Sequence, residues 1–253
     1  MTPVSPREPA SYGTGSESPA LDQLFTRLDP AFAAAYQNLC LASQGLQALD
    51  PKVRELVNFG LNICITTLNA DGARRHLAAA RDLGATTEEL VTVCELVYLV
   101  GIHSVMLAGP ILVEELDAAG LPSYGSGDID RNAIRDRYVA DRGNFPPPFE
   151  ATLSLHPAFV DAYRELSAAP IRSRGLEPKV MELIVLALDA ATTHLHAAGT
   201  RAHLRAALAA GASAGEVLEI LELASTLAIH GTNLGASLLA ELDSQPSTNA
   251  KTG

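Results

Sequence analysis

The sequence predicts an all-α protein in which one helical unit is used twice in tandem, the copies related by a pseudo-twofold. Three observations carry that prediction. Apolar residues recur at spacings of three and four and never alternate with period two, which gives helix signals and no strand signal. DPAFAAAY from Asp29 returns as HPAFVDAY from His156, and PKVRELV from Pro51 returns as PKVMELI from Pro178. The offset is a constant 127 residues, and roughly 33 of about 87 aligned positions from Pro30 to Leu116 match their counterparts without a gap.

Residues 1–20, rich in Pro, Ser, Gly and Glu, read as a disordered leader because no charged stretch precedes an apolar one as in a signal peptide. The first unit is expected at 21–119. Its first clear helix begins with Asp50 as cap and Pro51 in the first turn, and Val53, Leu56, Val57, Gly60, Leu61 and Cys64 share one face. A second helix, about Asp71 to Asp82, stops at Gly84. Thr86 and Glu89 then form a capping box for a long apolar helix running through His103. Residues 120–150 form a linker with a short helix from Ile129 to Val139 between breakers. The second unit, 151–243, repeats these signals with Glu177 and Pro178, Gly211, and the Ser213/Glu216 box, and 244–253 reads as a disordered tail.

Each copy is too small to bury much area alone, so the copies should pack on each other and the chain should form a homo-oligomer. A net charge of −11 argues against nucleic acid or an anionic membrane as partner. Cys40, Cys64 and Cys94 sit in apolar helical text, which suits buried thiols in a reducing, cytoplasmic setting. Leu96 to Val113 is long and apolar enough to raise a membrane span. It carries His103 and Pro110, and its second copy is diluted by Ser225, Thr226, His230, Thr232 and Asn233, so a core helix buried by packing is the expectation.

No phosphate-cradling Gly loop, nucleophile elbow or CxxC occurs, which leaves histidines and glutamates to carry chemistry. His76 and His203 lie eight residues before the two helix-stopping glycines. Glu55 and Glu182 lie mid-helix among apolar residues, where an ionised carboxylate must be paired. They either bridge to Arg74 and Arg201 or orient and charge a neighbouring His. His103 and His230, late in the apolar helix, need partners from elsewhere, which contact between the copies could supply. The copies differ where Thr67 and Asn69 become His194 and His196. A metal site on His194, His196 and His203 or His230 would require a bend between the first two. The asymmetry points to a second copy that carries the chemistry, or to one composite site drawing on both.

The ELV or ELI helix, the break, the His eight residues before Gly and the capping box resemble the alkylhydroperoxidase D and carboxymuconolactone decarboxylase superfamily. That resemblance implies two alkylhydroperoxidase D-like helical units, assembly into trimers or other multiples, and sites at packed interfaces. The thiols of the peroxidase branch are missing, since Asn69 and Gly72, or His196 and Gly199, stand where its CxxC pair would be. Dithiol peroxide reduction is therefore not available. The decarboxylase branch implies loss of carbon dioxide from a small carboxylated or lactone-like compound, without a cofactor or metal, with an imidazolium as proton donor. The expected catalytic set is His203 with Glu182 as orienting partner, and His196 and His230. His194, His76, Glu55 and His103 are expected to bind substrate. A non-catalytic binding module with structural histidines and a His-ligated metal enzyme are the alternatives.

Overall fold

A computed structural model describes residues 29–122, 129–173 and 175–244. The leader expected at 1–20 and the tail beyond Ser244 lie outside them. All regular structure among the described residues is helical. The first copy contributes α1 (Pro30–Gln44), α2 (Pro51–Ile63), α3 (Ala70–Asp82), α4 (Thr87–Tyr98), a 3-10 turn (Leu99–Ile102) and α5 (His103–Ala118). Between the copies run α6 (Arg131–Arg142) and α7 (Phe149–Leu155). The second copy follows as α8 (Pro157–Ser173), α9 (Pro178–Ala190), α10 (Ala197–Ala209), α11 (Ala214–Thr226) and α12 (Ile229–Ser244).

Local chemistry sets most of these boundaries. Asp50 accepts from the backbone N–H groups of Lys52 and Val53, and Pro51 opens α2. Glu177 holds the equivalent place before α9 but its side chain makes no capping bond. Thr86 with Glu89 and Ser213 with Glu216 both close reciprocal capping boxes. Gly84 and Gly211 stop α3 and α10 in left-handed geometry, at φ 89° and 91°. In the linker, Asp130 caps α6 and Gly143 ends it at φ 82°.

The long apolar helix expected through His103 is not continuous. The 3-10 turn separates α4 from α5, and α11 likewise gives way at Leu227 before α12 resumes. The run Thr87–Ala118 has the length and mean hydropathy, 2.1, of a membrane span. Its burial differs from the sequence expectation: α4 packs into the core, but α5 has no buried residue and exposes Leu107, Ile111 and Leu112. Beyond the break, Val105 and Met106 of α5 pack against the linker helices, and Leu107, Ile111 and Leu112 stay uncovered within this chain. Cys94 is also exposed, on the outer side of α4, whereas Cys40 and Cys64 are buried as expected.

The main core joins the two copies. Leu56, Val57 and Leu61 of α2 and Val93 of α4 pack with Leu183, Ile184, Leu186 and Leu188 of α9 and Ile220 of α11. A Cβ on Gly60 would meet Val93 Cγ1 at 3.3 Å and Ile184 Cγ2 at 3.5 Å, which is how closely α2 approaches the opposite copy. Thr193 donates through its hydroxyl to Thr66, its own counterpart, at 3.0 Å, and this pair marks the pseudo-twofold. Buried Glu219 on α11 ties the copies again, accepting from the backbone N–H of Ala48 and Leu49 and pairing with Arg54. A smaller cluster of Ile102, Ile134, Tyr138, Phe149, Leu153 and Val160 seats the linker helices.

Candidate functional site

The α2–α3 and α9–α10 connections build the site. Each helix ends in a tight turn in which Leu68 or Leu195 takes a left-handed backbone at φ 48° or 49°, a conformation that costs a non-glycine residue about 1–2 kcal/mol. The following amide then folds back: Asn69 N–H donates to the Asn62 carbonyl at 2.9 Å and His196 N–H to the Asp189 carbonyl at 2.8 Å. This is the bend the sequence could only require. It places His194 and His196 beside the end of α9, against Asp189.

The carboxylate–histidine pairs form between neighbouring helices, across α2–α3 and α9–α10. His76 Nδ1–H donates to Glu55 at 2.8 Å, and His203 Nδ1–H donates to Glu182 at 2.7 Å. Each bond fixes the ring tautomer, and that of His203 leaves Nε2 on the Asp189 side, 3.9 Å from its Oδ2. The arginine bridges considered as an alternative do not form at Arg74, which pairs with Asp71. The pairs differ in access. The side chains of Glu55 and His76 are 5% and 17% exposed, those of Glu182 and His203 29% and 23%.

The late histidines cross over. His103 belongs to the first copy, yet its Nδ1 lies 2.7 Å from His194 Nε2 and its ring stacks on His196 with centroids 3.7 Å apart. His230 belongs to the second copy and receives a hydrogen bond from the Asn69 amide at 2.8 Å. Each half-site is therefore completed by the other copy. This corrects the grouping read from sequence: His230 is not with His203 and His196, and His103 is not with His76 and Glu55, because the breaks at the ends of α4 and α11 carry α5 and α12 across the pseudo-twofold.

Of the chain's 7 histidines, His103, His194, His196 and His203 thus gather around one residue that the sequence did not single out, Asp189. It is 0% exposed, and neither carboxylate oxygen has a hydrogen-bond partner. His103 Nδ1 is 3.6 Å and His203 Nε2 3.9 Å from it. Burial pushes the Asp189 carboxyl up to about 7, against the pull of His203 and with the help of Glu182. Burial likewise drives His103 down to about 3, reinforced by the neighbouring His196, His194 and His203. His194 and His196 are lowered by burial too. A signal did exist in the sequence: an acid in the last turn of an apolar helix faces the negative end of the helix dipole and needs a reason to be there.

At the equivalent places the first half-site has the neutral Asn62, Thr67 and Asn69: Asn62 Nδ2 donates to the Asn58 carbonyl, and Asn69 accepts from the Gly72 N–H and donates to His230, while Asn62 Oδ1 and Thr67 Oγ1 are buried without a hydrogen-bond partner. Gly199 and Gly72 let the next helix approach this closely. A Cβ at Gly199 would lie 2.1 Å from Asp189 Oδ2 and 2.5 Å from His196 Nδ1, and one at Gly72 2.1 Å from Asn62 Oδ1. Gly199→Ala and Gly72→Ala should therefore each cost about 1–3 kcal/mol in denaturant unfolding, but only Gly199→Ala should also remove activity. Unchanged turnover in Gly199→Ala would place the chemistry elsewhere. A separate apolar cavity of about 500 Å³, lined by Ile63, Leu68, Tyr98, Gly101, Ile102 and Tyr163 among others, holds no histidine or carboxylate.

The sequence model of the carboxymuconolactone decarboxylase family matches residues 30–101 and again 157–234, once per copy. A crystal structure from Burkholderia xenovorans LB400, of a protein provisionally named a gamma-carboxymuconolactone decarboxylase subunit, aligns with a TM-score of 0.81 and 37% sequence identity. The alignment covers 92% of this chain and 97% of that one, so the tandem arrangement has a counterpart within a single other chain. No curated protein matches this one.

Proposed function

The chain belongs to the carboxymuconolactone decarboxylase family, and on that footing we propose that it removes carbon dioxide, or performs a related proton transfer, on a small carboxylated or lactone-like compound at the second half-site. The observation that carries this reading is the Glu182–His203 pair, solvent-reachable and turned by its Nε2 toward His103, His194, His196 and Asp189. When His203 is an imidazolium, Nδ1–H stays with Glu182 and Nε2–H is the proton available to substrate. The bond from the substrate carbon to its carboxylate breaks, carbon dioxide leaves, and the electron pair spreads into the adjacent carbonyl or unsaturated lactone as an enolate. His203 Nε2–H then protonates that carbon, and solvent restores the proton. His194 and His196, half-buried beside Asp189, hold the substrate's oxygens in this reading.

Proton NMR in heavy water, with a panel of lactone acids, β-keto acids and enolisable carbonyl compounds, tests this reading. Deuterium should appear at carbon with at least one compound and should disappear with His203→Ala. A well-folded protein that exchanges none of them would sink it and favour a binding module with structural histidines. The uncovered apolar faces of α5, and of α12 with Leu234, Leu238 and Leu242 exposed, support assembly with further copies of the chain.

A further inference from the structure

We infer that Asp189, His103 and His194 form a binding site for a divalent transition-metal ion, with His196 beside it as a fourth donor. The donor atoms of these four residues all lie within 4.8 Å of one another. Imidazole and carboxylate ligands stand about 2.0–2.2 Å from zinc, so two ligands on one ion are about 3.0–3.5 Å apart. The separations of His103 Nδ1 from His194 Nε2, 2.7 Å, and from Asp189 Oδ1, 3.6 Å, bracket that spacing. Small side-chain rotations bring all three onto one ion.

Asp189 points to the same conclusion independently. A fully buried carboxylate without a hydrogen bond is costly, and the nearest ring nitrogens, His103 Nδ1 at 3.6 Å and His203 Nε2 at 3.9 Å, stand beyond hydrogen-bonding distance. Around it stand ring nitrogens of His103, His194 and His196, and the hydrogen bond between His103 Nδ1 and His194 Nε2 is given up when both turn their lone pairs to an ion. A dication answers both requirements at once, pairing with the carboxylate and accepting the ring nitrogens. Two histidines and one carboxylate with open positions suit zinc, manganese or ferrous iron and leave room for a substrate oxygen. His196 differs from the other three, since its Nδ1 accepts the Gly199 N–H at 3.2 Å. That bond is given up only if this ring also joins the ion.

The first half-site is a built-in control. It has the same backbone turn and glycine, but Asn62, Thr67 and Asn69 replace Asp189, His194 and His196. The inferred site departs from the expectation of a metal-free pocket, and it goes beyond the proposed reaction because binding can be read without turnover.

Cobalt(II) titrated into chelator-stripped, full-length protein should produce visible absorption bands that saturate at one ion per chain. Asp189→Asn and His194→Thr install the residues the first copy carries, and each should weaken binding by more than the hundredfold that second-shell changes reach. His230→Asn, in the other half-site, should bind like the wild type. No visible bands and no heat of binding with the unmodified protein would overturn the inference, whatever the variants do. So would equal binding by Asp189→Asn, His194→Thr and wild type, with circular dichroism showing all three folded. Deuterium exchange by the stripped protein would leave the acid–base reading standing without the metal, and a bound ion without exchange would leave the metal site without that reading.

Discussion

His203→Ala should lower turnover by about 10²–10⁴-fold while the helical circular dichroism stays as in the wild type. The size follows from what the ring does. It is the group in the second half-site that is both tied to a carboxylate through Nδ1 and reachable from solvent, so its removal takes away the proton donor together with its route of reprotonation. The fold should survive because the ring is partly exposed and packs at the edge of the core. His76→Ala removes the same pair from the first copy, where Glu55 and His76 are nearly closed off and Asn62 and Asn69 hold the positions of Asp189 and His196. It should cost less than threefold in turnover and should act mainly on stability, because it leaves the buried Glu55 carboxylate without that partner. Steady-state kinetics on the compound found by exchange decides the matter, and equal losses from the two variants would reject the dominance of the second copy.

Glu219→Ala should destabilise the protein by about 3–5 kcal/mol. Its carboxylate is 1% exposed and is the meeting point of the Ala48 and Leu49 amides and the Arg54 guanidinium, all from the other copy. Truncation takes the shared acceptor away from two backbone donors and from Arg54 at the interface between copies, where water does not readily replace it. For a chain of this size the midpoint of thermal unfolding should fall by about 10 °C. Glu219→Gln keeps one oxygen to accept the amides and should lose less. A drop below 1 kcal/mol for the alanine variant would show that the carboxylate contributes little to joining the halves. The first copy has Thr92 at this position, bonded to the Glu88 carbonyl of its own helix, so this clamp is made on one side of the pseudo-twofold only.

Much of this could be read from the sequence because it is local. Capping boxes, the Pro-opened helices and the glycine stops are decided within four residues, and each appears where the pattern placed it. The pairing of Glu182 with His203 was legible as one of two readings, since repeated polar residues on apolar faces must find each other or an arginine. Three features were not legible. The left-handed Leu68 and Leu195 carry a side chain that ordinarily avoids that backbone, and their own N–H bonds to the Cys64 and Ala191 carbonyls, with the fold-back bonds of the next residue to Asn62 and Asp189, hold them there. The exchange of His103 and His230 depends on where α4 and α11 break, and uninterrupted apolar text does not announce a 3-10 turn. Asp189 stands opposite Asn62, so it is not among the residues the two copies share, and the repeat does not mark it.

The crossing of His103 and His230 bears on how such a protein can change over time. In an assembly of identical chains every substitution is made in every pocket at once, so no pocket can give up its histidines while another keeps them. Joining two copies into one gene lifts that restriction, and Asn62, Thr67 and Asn69 stand opposite Asp189, His194 and His196 as its outcome. Yet the halves did not become independent. A chain cut within the linker would yield two fragments, each lacking the imidazole that its pocket borrows from the other. The pocket without ligands is thus retained with the pocket that has them, because the helix bearing its own late histidine must be held in place to serve its neighbour.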